Sequence, residues 1–201
     1  MTSKTVNIQI DSAEHENLRS GNYKLCFAKK VGNTYDVVWQ AYDQYPAGNN
    51  FSWTPVYQIF ATNQFSAGVT VTVDTNAVNI ALGEQASIDP TGFIGDASTG
   101  GSDDSITFVN NYGAIRPGLN SLCTGPDGRS VMTPIYVAPQ PVGTGTATLT
   151  PVEMVRVWFE QDIVTSTMIS DDVTNAVEID MTARDVATYL YKGGNWSVQT
   201  M

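Results

Sequence analysis

The chain is poor in charge, in histidine and in cysteine. Its 201 residues carry 15% charged side chains, one histidine and two cysteines, against roughly 25% charged residues in ordinary soluble domains. Each shortage excludes a class of chemistry. His15, between Glu14 and Glu16, is the sole imidazole, so a Ser–His–Asp or Cys–His centre would have to be built on a polar segment. Cys26 and Cys123 with one histidine are too few ligands for a Cys/His zinc site. Their spacing implies no disulfide framework, and free thiols are expected. No GxxxxGK[S/T] or GxGxxG run occurs, so a nucleotide-binding loop has no support.

Basic charge is scarcest of all. Ten Lys and Arg face twenty Asp and Glu, for a net charge of −10. Between Val31 and Ile115 there is no Lys or Arg, while Asp36, Asp43, Asp74, Glu84, Asp89, Asp96, Asp103 and Asp104 all fall there. Phosphate backbones need cationic side chains to displace their counterions, so nucleic acid is excluded as a partner and anionic lipid is disfavoured. Long hydrophobic runs are missing too. None approaches the ~18 apolar residues of a membrane helix, and residues 1–22 show no apolar stretch after a basic start. Cytoplasmic synthesis is therefore expected, with later release left open.

Period-two alternation is abundant instead. Tyr23, Leu25, Phe27 and Val31 alternate with Lys24, Cys26, Ala28 and Lys30, and a second run carries Tyr35, Val37 and Trp39. Gly32-Asn33-Thr34 between them is hairpin chemistry, because Gly and Asn accept positive φ. Further alternating or β-branched runs cover 69–73 (VTVTV), 78–82, 106–109, 133–137, 146–150, 152–159, 163–169, 176–181, 186–191 and 196–198. Helix is confined to a turn or two near 13–18 and another near 171–175. Short strands separated by Gly, Pro, Asn and Asp predict an all-β fold. The expected form is a two-sheet antiparallel β-sandwich, jelly-roll or Ig-like, with about a dozen strands in a single domain over 1–201. A chain of this length buries about 70% of its unfolded surface without staples. A division near residue 104 is the alternative. Segments 89–104 and 113–130, rich in Gly, Asp, Ser and Pro, read as long loops and as the first places to seek a site.

Eleven of the twenty aromatic residues fall between Tyr23 and Phe65. In FSWTPVYQIF (51–60), spacing assigns Phe51, Trp53 and Tyr57 to the core. Pro55 there marks an edge or a bulge, because proline cannot donate to a ladder. Tyr42, Tyr45, Phe60 and Phe65 are left over, facing away from their core neighbours or sitting in turns. Together with Asp103 and Asp104 they are the expected ligand-binding set, rings to stack on a ligand and carboxylates to bond it.

Carboxylates are the remaining route to catalysis. Glycoside hydrolysis needs two of them ~5–9 Å apart, and Asp103–Asp104, Asp171–Asp172 and Glu178–Asp180 are candidates. On a strand, Glu178 and Asp180 share a face ~6.6 Å apart. Asp89, Asp96, Asp103 and Asp104 could together offer oxygens to calcium, but they do not follow the EF-hand spacing. No cofactor or resident metal is expected. These features favour a non-enzymatic recognition protein, lectin-like or cytolysin-like, binding a glycan or a membrane-surface ligand as a homo-oligomer. A self-assembling subunit of a filament, tube or shell is the second reading, and a carboxylate glycoside hydrolase the third.

Overall fold

The computed structural model describes residues 2–170 and 173–199. The Asp171–Asp172 pair lies outside these. In chain order the elements are β1 (Lys4–Ile10), α1 (Ser12–Ser20), β2 (Lys24–Val31), β3 (Gln40–Tyr42), β4 (Gly48–Thr62), β5 (Val78–Ile80), β6 (Glu84–Ile88) and β7 (Ser98–Thr99). They continue with β8 (Ile106–Asn110), β9 (Arg116–Thr124), β10 (Ser130–Val137), β11 (Gly145–Leu149), β12 (Pro151–Glu160), β13 (Val177–Asp180), β14 (Val186–Lys192) and β15 (Asn195–Val198). The chain is all-β with a single helix among the described residues.

Three sheets form, not two. The largest runs β10-β9-β4-β1-β14-β15, with β5 attached to β4. A second runs β13-β12-β2-β3 and a third β11-β8-β6-β7. The wholly antiparallel expectation also fails, since β1 pairs in parallel with β14, and β6 with β8. A parallel pair needs a crossover connection rather than a hairpin. Alternation along each strand cannot report that.

The first two sheets meet through stacked rings. Phe27 of β2 lies 4.3 Å from Phe51 of β4, and Trp39 packs edge-on against Trp53 at 5.8 Å. As the spacing predicts, Phe51, Trp53 and Tyr57 are buried. Pro55 sits in an irregularity of the β4–β9 register between Trp53 and Tyr57, after which pairing resumes. The strand is nonetheless central, with β1 and β9 on either side. A bulge leaves the proline nitrogen out of the ladder, so a central strand can hold it.

Three local readings are corrected. Residues 116–124 are a strand of the main sheet, not a loop. VTVTV, expected as a strand, pairs only at Thr70, opposite Thr167, and its Val69 and Val73 are exposed. Segment 163–169 likewise shows only isolated bridges. Both faces of β2 are covered, with Cys26, Ala28, Tyr35 and Trp158 in a second core behind the sheet. Tyr35 therefore packs on the face opposite Phe27 and Trp39.

Candidate functional site

The expected ring set does not come together. Tyr45 is 3% exposed and Phe60 fully buried, so neither can display a ring. Phe60 belongs to a small core with Val37, Val137 and Met168, against which the half-buried Phe65 packs. That cluster covers the face of β4 which alternation assigns to solvent. Tyr45 is roofed by α1, where His15 Nε2 is 2.8 Å from its carbonyl oxygen, and its own hydroxyl donates to the Tyr23 carbonyl. Burial pushes the Tyr45 phenol up to about 12. Tyr42 is half-buried, donates to Gln40 Oε1 and lies edge-on to Phe51. Asp103 and Asp104 are exposed on the turn before β8, far along the chain from any of these rings.

The carboxylate pair is also committed elsewhere. Glu178 accepts from Arg156 at 2.8 Å, and Asp180 accepts from the Thr182 backbone N–H. Hydrogen bonds from the Thr182 backbone and side chain hold the Asp180 carboxyl below its ordinary value. In the 89–104 loop, Asp89 Oδ1 accepts from the Thr91 and Phe93 backbone N–H groups and from the Thr91 hydroxyl. Among the described residues no three His, Cys, Asp or Glu side chains gather as a metal site.

A different place has the shape of a site. A cleft of about 680 Å³ opens between α1, the end of β12 and β14, within the ~300–1,000 Å³ range of small-ligand pockets. Its construction begins with the helix. Asp11 caps α1 by accepting from Ala13 N–H, and Glu14, Asn17 and Leu18 follow at i, i+3 and i+4 spacing. One helical face therefore carries all three into the cleft. Gly21 ends the helix by donating to Asn17, and its carbonyl accepts from the Gln161 side chain, which ties the helix end to the β12 exit.

The opposite wall is aromatic. Phe159 stacks on Trp196 at 5.6 Å with planes 5° apart, and Tyr191 lies 4.8 Å from both. Of these, Phe159 and Tyr191 line the cleft, together with Tyr23 and Trp158. Tyr23 is 38% exposed, although it alternates in step with the buried Leu25 and Phe27. A polar clasp fixes the wall. Asn175 Nδ2 donates to the Tyr191 hydroxyl and to Gly194 O, Trp196 Nε1 donates to Asn175 O, and Gly194 N–H donates to Glu14. Burial and the Glu14 charge together raise the Tyr191 phenol above its ordinary value.

Glu160, Gln161 and Asp162 complete the rim. Glu160 accepts from Trp158 Nε1 at 2.7 Å, and Asp162 takes a left-handed φ of 55° that turns the chain out of β12. The cleft thus joins rings, amides (Asn17, Gln161, Asn175) and three carboxylates (Glu14, Glu160, Asp162), and no Lys or Arg is among its described lining residues. Lys24 stands opposite Glu160 in the β2–β12 register without lining it. Scans against family models, curated proteins and solved structures each return no match for this chain.

Proposed function

We propose that the protein is a non-enzymatic, lectin-like recognition protein that takes a saccharide in the α1–β12–β14 cleft. The observation that carries this reading is the cleft lining, where Tyr23, Phe159 and Tyr191 stand beside Asn17, Gln161 and Asn175. Sugar rings present apolar C–H faces that stack on aromatics and hydroxyls that bond amides and carboxylates. A pocket offering both kinds of surface, with few convergent polar groups on an apolar wall, suits that ligand class. Glu14 and Glu160 already accept hydrogen bonds from Gly194 and Trp158, which suits holding a ligand more than exchanging protons with it.

Face-to-face packing of the β4 and β2 sheets through Phe27 and Phe51 supports a sandwich-type layout, to which β11-β8-β6-β7 is an annex. Self-assembly into a filament or shell has less support. The β10 edge of the main sheet carries Pro134 and a register shift between Pro134 and Tyr136, devices that discourage edge-to-edge pairing.

A printed array of neutral and amine-bearing oligosaccharides tests the reading. Binding is expected, weakened about tenfold by Tyr23→Ala and unchanged by Tyr112→Ala, an exposed ring outside the cleft. Incubation with bound glycans should release no reducing ends. An array without hits would overturn the recognition reading, and turnover would replace it with hydrolysis.

A further inference from the structure

The three carboxylates of the cleft do not converge. Glu14 comes from the helix, whereas Glu160 and Asp162 flank Gln161 at the end of β12. They do not form a group able to hold one metal ion among the described residues. None of the three has an ion-pair partner among the described residues, whereas the nearby Lys192 pairs with Asp11 at 3.3 Å. The negative charge is therefore spread along a ligand-sized wall without a salt bridge among the described residues, with Lys24 opposite Glu160 as the one neighbouring cation on β2.

The wall has a second side. A smaller depression of about 200 Å³ adjoins the cleft and shares Glu160, Gln161, Asp162 and Val173 with it. Its remaining lining includes Gly68, Thr167 and Ile169, again with no cation among the described residues. A ligand crossing from one depression to the other must pass the Glu160–Asp162 wall. Its charge at that point has to be positive or zero, because an anion would meet two unpaired carboxylates.

We propose that the ligand is an oligosaccharide of amino sugars bearing free amines, with its ammonium groups read by Glu160 and Asp162 at this wall and by Glu14 at the rim. This rests on the saccharide reading of the same cleft. Ammonium–carboxylate bonds are charge-assisted and about twice as strong as neutral ones. The exposed Tyr23 ring at the rim adds attraction between its face and a cation. Acidic sugars such as uronates are rejected by the same groups.

Titration calorimetry with two matched probes, a glucosamine hexamer and an N-acetylglucosamine hexamer, tests the proposal at a pH where the free amines are protonated. The glucosamine hexamer should bind about tenfold or more tightly than its acetylated counterpart, and added salt should narrow the gap. Glu160→Gln and Asp162→Asn should each narrow it too, by weakening the glucosamine hexamer several-fold more than the acetylated one. Both variants keep the local structure. The side-chain carbonyl introduced by Glu160→Gln still accepts from Trp158 Nε1, and Asn tolerates the left-handed backbone of position 162. Equal binding of the two hexamers, or tighter binding of the acetylated one, would overturn the amine proposal and leave the saccharide reading standing. Binding of neither hexamer overturns the amine proposal, and the array decides the saccharide reading separately.

Discussion

The Lys29 ammonium lies 3.0 Å from Glu153 Oε1 and has no exposure to solvent. Its Nζ is 5.2 Å from the centre of the Trp53 ring and 6.0 Å from that of Trp39. Trp53 Nε1 in turn donates to the other Glu153 oxygen at 2.9 Å. Burial lowers the Lys29 pKa from its ordinary 10.5, and the Glu153 charge pulls it back. A charge in the middle of an aromatic core is stabilised only by its partner.

Removing that partner should therefore cost more than removing the pair's cation. Glu153→Gln is expected to destabilise by about 3–5 kcal/mol, because it strands a buried ammonium. Lys29→Met, which fills the same space without charge, should stay within about 1–2 kcal/mol of the parent. Urea unfolding of both variants checks this, and equal losses would contradict it.

Alkali should unfold the protein through its buried acids. Burial pushes the Cys26 and Cys123 thiols up from 9.0 and the Tyr57 phenol up from 10.0. The folded chain then keeps protons that the unfolded chain releases. Stability is full below 9.0 and falls as pH rises above it, by about 1.4 kcal/mol per pH unit for each group that stays protonated. Lys29, lowered instead of raised, acts oppositely between its folded value and 10.5, but it is one group against several. Melting temperature against pH should bend near 9.0 in the parent and nearer 10.0 in a Cys26→Ala/Cys123→Ala variant. Identical profiles would contradict the assignment.

Gly118 and Phe60 are fitted to each other across β9 and β4. A Cβ at Gly118 would collide with the edge of the Phe60 ring. Gly118→Ala should cost about 1–3 kcal/mol by overpacking, and Phe60→Leu in the same chain should recover part of that loss. Additive losses in the double-mutant cycle would show that the two sites do not interact.

Asn110 is a buried hub under the turn after β8. Its Nδ2 donates to Gly113 O, Gly143 O and Val142 O, and its Oδ1 accepts from Tyr112 N–H at 2.9 Å. Asn110→Ala removes its bonds to the Gly113 and Gly143 carbonyls and to the Tyr112 N–H, and should cost about 1–3 kcal/mol. Faster amide exchange at Tyr112 and Gly113 is the accompanying sign. Unchanged exchange there would mean the turn holds itself.

The fold was legible where alternation and proline chemistry suffice. Phe51, Trp53, Tyr57 and the Pro55 bulge follow from the spacing of one ten-residue run. Alternation reports the two faces of a strand, but not what lies on each. Phe60 was misplaced because Val37, Val137 and Met168 cover the second face of β4, and Tyr45 because α1 roofs it. VTVTV has strand propensity without a neighbouring strand to complete its ladder, so only Thr70 pairs. The site was hidden for a different reason. The Glu14 side chain meets the Gly194 amide across 180 residues of sequence, and no local pattern joins them. The one local signal was the Glu14-Asn17-Leu18 spacing on a capped helix.

The most direct test of the cleft as the recognition site is a backbone-amide NMR titration of the whole chain with the glycan that binds best on the array. The account predicts shifts centred on Glu14, Asn17, Tyr23, Glu160–Asp162, Asn175 and Tyr191, which need about tenfold more glycan to reach the same size in Tyr23→Ala. Shifts centred on the 89–104 loop, with those cleft amides unmoved, would contradict it.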